Sequence, residues 1–402
     1  MDLELLRELS TPNDTKILLC VVDGLGGLPH PETRRTELQT ASIPNLNRLA
    51  EESICGLSLP VAPGVTPGSG PGHLALFGYD PLKYEVGRGV LESLGIDFDL
   101  QPVDVAARGN FCTLDANGLI SDRRAGRIPT VETIAVCEKL RQIKLPGVEV
   151  IIEPVREHRW VLVLRAEGLD DHLTQTDPER EGVAPLPVRT TTKSEAAERT
   201  ASLVNQFITR AREVLKDEPR ANGVLLRGFA KHPDMPPMPE VTQMRAGAFA
   251  VYPMYRGLAK LVGMTVAPGG GTPTSQLDAV KSRWDDFDFV FYHYKKADAA
   301  GEDGDFRAKV AALEEFDELV PKIRDLNPDV LVVAGDHSTP ALMASHSWHP
   351  VPFLIWSRDV VGDEVAEFNE HACRNGALGT FKAKETLSYA MAQAGRLMKF
   401  GA

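Results

Sequence analysis

The sequence predicts an α/β fold: a three-layer core built on a mostly parallel sheet, plus a smaller inserted α+β domain. Three segments carry this expectation. Each is a short apolar run, rich in β-branched or aromatic residues, that stops abruptly at polar residues. "KILLCVV" (16–22) runs into Asp23, "FDFVFYHY" (287–294) precedes Asp298 by a few residues, and "DVLVVAG" (329–335) runs into Asp336 and His337. Such runs read as strands buried on both faces. Between the last two, Val310, Leu313, Phe316, Val320 and Ile323 recur at three or four residues with charges between them, the period of an amphipathic helix. Strands alternating with such helices imply a parallel sheet covered on both faces. Ligands bind beyond the carboxyl ends of such strands, so the three acidic positions are expected on one edge.

The middle of the chain has another texture. The strands "VEVIIEPV" and "HRWVLVLRAE" are short, an amphipathic helix is predicted near 193–215, and arginine is dense. We read 103–250 as an inserted substrate-binding and closing domain, with 1–102 and 251–402 forming the core. The proline cluster "KHPDMPPMPE" (231–240) is predicted to be a stiff loop.

Composition narrows the function classes. The 56 acidic and 44 basic residues give a formal charge of -12, which disfavours nucleic acid or an anionic membrane surface as partner. A small phosphorylated substrate stays compatible, because local arginines or metal ions can oppose the global sign. The segment "MDLELLRELSTPNDTK" carries acidic residues and no apolar core, so no signal peptide is expected. No run of about 18 uncharged apolar residues predicts a membrane span. Five cysteines lie scattered without CxxC spacing, which predicts reduced thiols and a cytoplasmic protein, and no cysteine-held zinc.

The residues able to carry chemistry are Asp23, Ser69, Asp298, Glu302, Asp336, His337 and His346. Carboxylates with a few imidazoles suit Mn²⁺, Mg²⁺ or Zn²⁺. Two such ions about 4 Å apart can orient a phosphate and stabilise both attacking and leaving oxygens. Ser69 sits between glycines in "TPGSGPGHLALFGYDP" (66–81), just before a predicted helix near His73. A serine hydroxyl is a poor nucleophile unless a base or metal helps remove its proton. Each piece alone has a plainer reading. Asp23 before glycine suits a turn, the glycines around Asp298 and Glu302 suggest a solvated loop, and His346 can simply pack its own loop. Three strand-end acids followed by histidines form a more specific pattern.

Together, "VVDGLGG", the Ser69 segment, "DRRAGRI", "ADAAGEDGDF", "AGDHSTP" and "SHSWHPVPFLIW" resemble the archaeal-type branch of cofactor-independent phosphoglycerate mutase, within the alkaline phosphatase superfamily. The likeness covers nearly the whole chain. It implies an alkaline-phosphatase-like core and interconversion of 3- and 2-phosphoglycerate through a phosphoserine on Ser69, with two divalent ions, Mn²⁺ or Mg²⁺ ahead of Zn²⁺, and no 2,3-bisphosphoglycerate. It further implies that Asp23, Ser69, Asp336 and His337 hold one ion and Asp298, Glu302 and His346 the other. Arg123, Arg127 and Arg108 match best as clamps for phosphate or carboxylate. At the family's DxxxH motif this chain has "DAAGE", so Glu302 stands where a histidine is usual. Three alternatives remain at this point: a metal-dependent phosphomonoesterase or phosphonate hydrolase, a homoserine-kinase-like phosphotransferase to a small alcohol, and a binding protein that has lost catalysis.

Overall fold

The computed structural model describes residues 1–401 and contains thirteen strands among them: β1 (Ile17–Val22), β2 (Ile54–Leu59), β3 (Asp104–Leu114), β4 (Ile120–Asp122), β5 (Glu149–Arg156), β6 (Arg159–Arg165), β7 (Gly223–Ala230), β8 (Ala246–Phe249), β9 (Thr265–Val266), β10 (Phe289–Tyr294), β11 (Val330–Ala334), β12 (Val351–Ser357) and β13 (Gly379–Lys382). They form an eight-stranded and a five-stranded sheet, and the chain divides into two compact units, residues 1–85 with 235–402 and residues 86–234.

In the first unit the strand order is β13-β2-β12-β11-β1-β10-β8-β9. Only β12 runs antiparallel to its neighbours; β1 lies between β10 and β11, parallel to both. The three predicted strands are therefore adjacent, and alternation along them feeds two cores. Leu18, Cys20 and Val22 of β1 and Val290, Tyr292 and Tyr294 of β10 pack with Leu313, Phe316 and Val320 of the helix Phe306–Arg324. Phe291 faces the other way, edge-on to Phe77 after the helix Ser69–Leu76. This is the expected α/β class with helices on both faces. All five cysteines are buried and unpaired. Among the described residues, no helix is long and apolar enough to cross a membrane.

The second unit is antiparallel, with β3 pairing β4, β6 and β7, and β5 beside β6. One sheet face is apolar. Phe111, Trp160, Leu162, Leu164, Val224 and Leu226 pack with the helices Thr130–Leu140 and Glu195–Leu215. The helix Arg88–Gly95 lies against β3, β6 and β7.

The observed division differs from the expected 103–250 at both ends. Arg88–Gly95 belongs to the smaller unit because it packs on that unit's strands, and β8 belongs to the large sheet because it pairs in parallel with β10. Neither was readable locally. A helix of eight residues and a strand of four, "AGAF", carry too few periods to declare their partners. The proline cluster is also less uniform than predicted, since its end opens a short helix, Met238–Thr242, with proline at an initial position.

Candidate active site

Asp23, Asp298 and Asp336 follow the carboxyl ends of β1, β10 and β11, three neighbouring strands, and all three are fully buried. Asp23, Asp336 and His337 place ligand atoms within 4.8 Å of one another, and so do Asp298, His337 and His346. His337 belongs to both sets, its Nε2 toward Asp336 Oδ2 at 3.1 Å and its Nδ1 toward Asp298 Oδ1 at 3.9 Å. The His346 ring stacks on it at 3.7 Å. Ser69 Oγ is 3.2 Å from His337 Nε2 and buried.

Local backbone chemistry sets these positions. Ser69 begins its helix, and Gly72 one turn on lets the helix touch the Asp336 backbone: a Cβ there would lie 2.1 Å from the Asp336 carbonyl oxygen. Asp298 and Glu302 lie in a helix, Lys296–Glu302, not in the loop their glycines suggested. Gly301 is there for proximity, since a Cβ would lie 2.3 Å from the Thr339 carbonyl oxygen. Thr339 Oγ1 donates to Asp298 Oδ1 at 2.6 Å and lies 3.0 Å from His337 Nδ1, tying the two sets together.

Beneath the loops sits a buried lysine. Lys309 Nζ donates to the carbonyls of Gly26 and Thr339, both at 2.8 Å, and lies 4.0 Å from Glu37 Oε1. Glu37 accepts from the amides of Leu28 and Ala341, and Glu370 from the Gly27 amide. The loop after Asp23 and the loop after His337 are thus held by one set of buried charges.

The electrostatics favour the charged form of three site groups despite burial, whereas at Asp298 burial and the nearby Asp23 prevail and push its carboxyl upward. Burial opposes ionisation of Asp336, but His337 and His73 outweigh it and hold its carboxyl well below the usual range. For Asp23, burial and Asp336 push upward, and Lys295 with His293 prevails downward. Burial works against a charged His346, yet Glu302, Asp298 and the Pro67 carbonyl raise it to about 9. Asp23 Oδ1 and Asp336 Oδ2 are buried and accept no hydrogen bond, although His337 Nε2 stands 3.5 and 3.1 Å away. A buried acceptor left unpaired costs about 1–3 kcal/mol or more. A divalent cation among these oxygens and imidazoles removes that cost, so the residues present fit such an ion.

One face of the smaller unit's sheet gathers arginines instead. Residues 105, 107 and 111 of β3 face its apolar core, so Arg108 and Asn110 face the other side. Register places Arg227 opposite Arg108 and Arg159 opposite Asn110 on that same side. Arg108 is 7% exposed and its Nε has no hydrogen-bond partner; Glu92 is 4.0 Å from its Nη1. Burial and the nearby Arg88 push the Arg108 pKa down to about 9.

Comparison with known proteins decides the family. A family model described as 2,3-bisphosphoglycerate-independent phosphoglycerate mutase matches residues 50–221. A Thermus thermophilus protein named a probable 2,3-bisphosphoglycerate-independent phosphoglycerate mutase is 51% identical over 408 residues, covering 100% of both chains. A Thermotoga neapolitana protein of the same name is 51% identical over 397 residues, 98% of each chain. The chain belongs to this mutase family. It is an isomerase of phosphoglycerate, independent of 2,3-bisphosphoglycerate. Solved structures agree. A Pyrococcus horikoshii protein superimposes with a TM-score of 0.84 at 28% identity, covering 97% of this chain and 100% of its own. The cofactor-independent phosphoglycerate mutase of Thermoplasma acidophilum does so with 0.68 at 28%, covering 94% and 100%.

Within this mutase the structure brings together Asp23, Ser69, Asp298, Asp336, His337 and His346. Glu302 joins neither ligand set; it is 55% exposed and its Oε1 is 3.5 Å from His346 Nε2. Of the three arginines expected to clamp the substrate, Arg108 lies on the polar sheet face. Arg123 is committed to Asp177 through two bonds of 3.0 and 2.8 Å, and Arg127 is exposed with a left-handed φ of 50°.

Other polar neighbours escaped the sequence reading. His73 Nδ1 is 2.8 Å from the Ser69 carbonyl and 3.1 Å from Asp336 Oδ2. His293 Nε2 and Lys295 Nζ each lie 3.1 Å from Asp23 Oδ2, and Lys295 also donates to Asp298. The signals existed: His73 is one helical turn from Ser69, and His293 and Lys295 flank the end of a strand already singled out.

Proposed function

We propose that the acidic cluster of the larger unit is a two-cation centre at which Ser69 takes the phosphoryl group from 3-phosphoglycerate and returns it to the 2-hydroxyl of the same glycerate. The observation that carries this reading is the Ser69 hydroxyl, buried 3.2 Å from His337, beside Asp23 Oδ1, which accepts no hydrogen bond, and Asp336 Oδ2, which faces two imidazole nitrogens at 3.1 Å.

Asp23, Ser69, Asp336 and His337 would hold one ion, and Asp298 and His346 the other, with His346 Nδ1 fixed by the Pro67 carbonyl and Glu302 a further carboxylate beside Nε2. Bound there, divalent ions supply a lowered pKa for the serine hydroxyl and charge neutralisation for phosphoryl oxygens. The chain's own groups do the rest. Ser69 Oγ attacks phosphorus as the ester P–O bond breaks, and the released glycerate oxygen takes up a proton. The other hydroxyl then attacks the phosphoserine, loses its proton and frees Ser69. Lys295, a cation between Asp23 and Asp298, is placed to neutralise charge gathering at these carboxylates. The arginine face of the smaller unit would bind anionic groups of phosphoglycerate: Arg108, with Arg88 and Arg159 near it, supplies donors, and Arg127 adds exposed charge. A guanidinium suits carboxylate and phosphate alike. Arg123 acts at one remove, fixing Asp177, which also lies 3.4 Å from Arg227 Nη1.

The test is to load the protein with Mn²⁺, add 3-phosphoglycerate, and follow 2-phosphoglycerate by enolase coupling with free phosphate in parallel. Formation of 2-phosphoglycerate without free phosphate, lost about a thousandfold or more in Ser69→Ala, is the expected result. Phosphate release alone, or a Ser69→Ala variant that keeps its rate, rejects the mechanism.

A further inference from the structure

Asn110 is a polar residue in the middle of a strand whose other neighbours are already accounted for. It lies two residues from Arg108 on the same face of β3, opposite Arg159 on β6. It is 8% exposed, and its Oδ1 is buried without a hydrogen-bond donor. Arg108, 7% exposed, leaves Nε without an acceptor. Two buried groups on one face of β3 are thus unpaired with opposite needs. A phosphate or carboxylate oxygen satisfies the Arg108 donor and is useless to the Asn110 oxygen, which needs a hydroxyl or amine hydrogen. The arginines at this face exclude a cationic amine on charge, which leaves a hydroxyl.

We propose that Asn110 reads the free hydroxyl of phosphoglycerate while Arg108 holds the neighbouring anionic group, so that this pair selects hydroxylated anions over their deoxy analogues. The inference rests on the reading that the arginine face receives phosphoglycerate. Its chemistry matches both ends of the reaction. In 3-phosphoglycerate the hydroxyl is on the carbon next to the carboxylate; in 2-phosphoglycerate it is on the carbon next to the one bearing phosphate. A site that pairs a donor with an acceptor accepts either isomer and disfavours an anion without a hydroxyl, because binding that anion leaves the buried oxygen unpaired. Burial, and after it the positive charge of Arg88, Arg227 and Arg159, disfavours a charged Arg108, and an anionic ligand opposes that charge.

The experiment compares 3-phosphoglycerate with 3-phosphonooxypropanoate, which lacks only the 2-hydroxyl, in binding to the Mn²⁺-loaded protein by calorimetry, for wild type, Asn110→Ala and Asn110→Ser. Wild type is expected to prefer the hydroxylated ligand by about tenfold or more. Asn110→Ala is expected to bind both within about threefold, chiefly by losing affinity for phosphoglycerate, and Asn110→Ser, which keeps an acceptor oxygen, to recover part of the preference. A preference undiminished in Asn110→Ala overturns the inference, as does a wild type that binds both ligands equally. Should wild type bind neither ligand yet retain Mn²⁺, the arginine-face reading itself fails. That outcome is distinct from equal binding of both. Thermal unfolding of each variant shows that the strand is intact.

Discussion

The larger unit and the smaller unit each bury a polar constellation, of opposite sign and opposite construction. The acidic cluster gathers at strand ends, on loops and helix starts, where backbone amides and carbonyls are free to brace it: Glu37, Glu370 and Lys309 do so from below. The arginine face is built from the middle of antiparallel strands, where the backbone is spent on the ladder and only side chains can answer one another. The first is rigid by bracing. Each leaves polar atoms unpaired, acceptor oxygens of Asp23 and Asp336 in the first, and Arg108 Nε with Asn110 Oδ1 in the second. The contrast suits the proposed division, with cations held at the acidic cluster and anionic groups at the arginine face.

Substitutions can break that division. The largest effect is expected from Asp336→Asn: it removes a carboxylate from the buried set, and Mn²⁺ affinity measured by calorimetry should fall about a hundredfold or more. Arg108→Met should do the converse, raising KM for phosphoglycerate about 10- to 100-fold with Mn²⁺ affinity unchanged. If Arg108→Met weakens Mn²⁺ binding instead, the two constellations are not separable. Lys309→Met tests the bracing. Removing a fully buried cation beside Glu37 should cost about 3 kcal/mol in chemical denaturation and weaken Mn²⁺ binding through the loosened loops.

The smallest effect sharpens the electrostatics of the arginine side. His158 is 2% exposed; burial together with Arg159, Arg124, Arg108 and Arg127 lowers its pKa to about 4. The unfolded chain, with an ordinary value of about 6.5, takes up the proton first as pH falls. This contribution to stability is therefore complete above pH 6.5 and is lost progressively down to about pH 4. His158→Gln should flatten the stability-versus-pH curve of that window by comparison with wild type. An unchanged slope would mean that burial and the surrounding arginines do not depress the pKa of this ring.

How much was legible follows the same contrast. Asp23, Asp298, Asp336 and His337 could be found because strand-end sites are written in short contiguous words, an apolar run followed within a few residues by the acidic side chain. Arg159 and Arg227 could not: they meet Arg108 only through the register of three strands separated by up to about a hundred residues of chain. The alternation in "DVAARGNF" marks Arg108 and Asn110 as sharing a face, but alternation does not say what lies across the sheet. Glycine misled once. Gly301 reads as a helix breaker, and only the Thr339 carbonyl beside it explains why a helix needs it.

The sequence by itself determined the α/β class, the three adjacent strands, the serine segment and the family, because local hydrophobic period and contiguous motifs specify them. Tertiary structure decided where the units divide, that His337 serves both ligand sets, that Lys309 braces their loops, and which arginines share a face. Each of these depends on contacts between segments far apart in the chain, and no local propensity encodes such contacts.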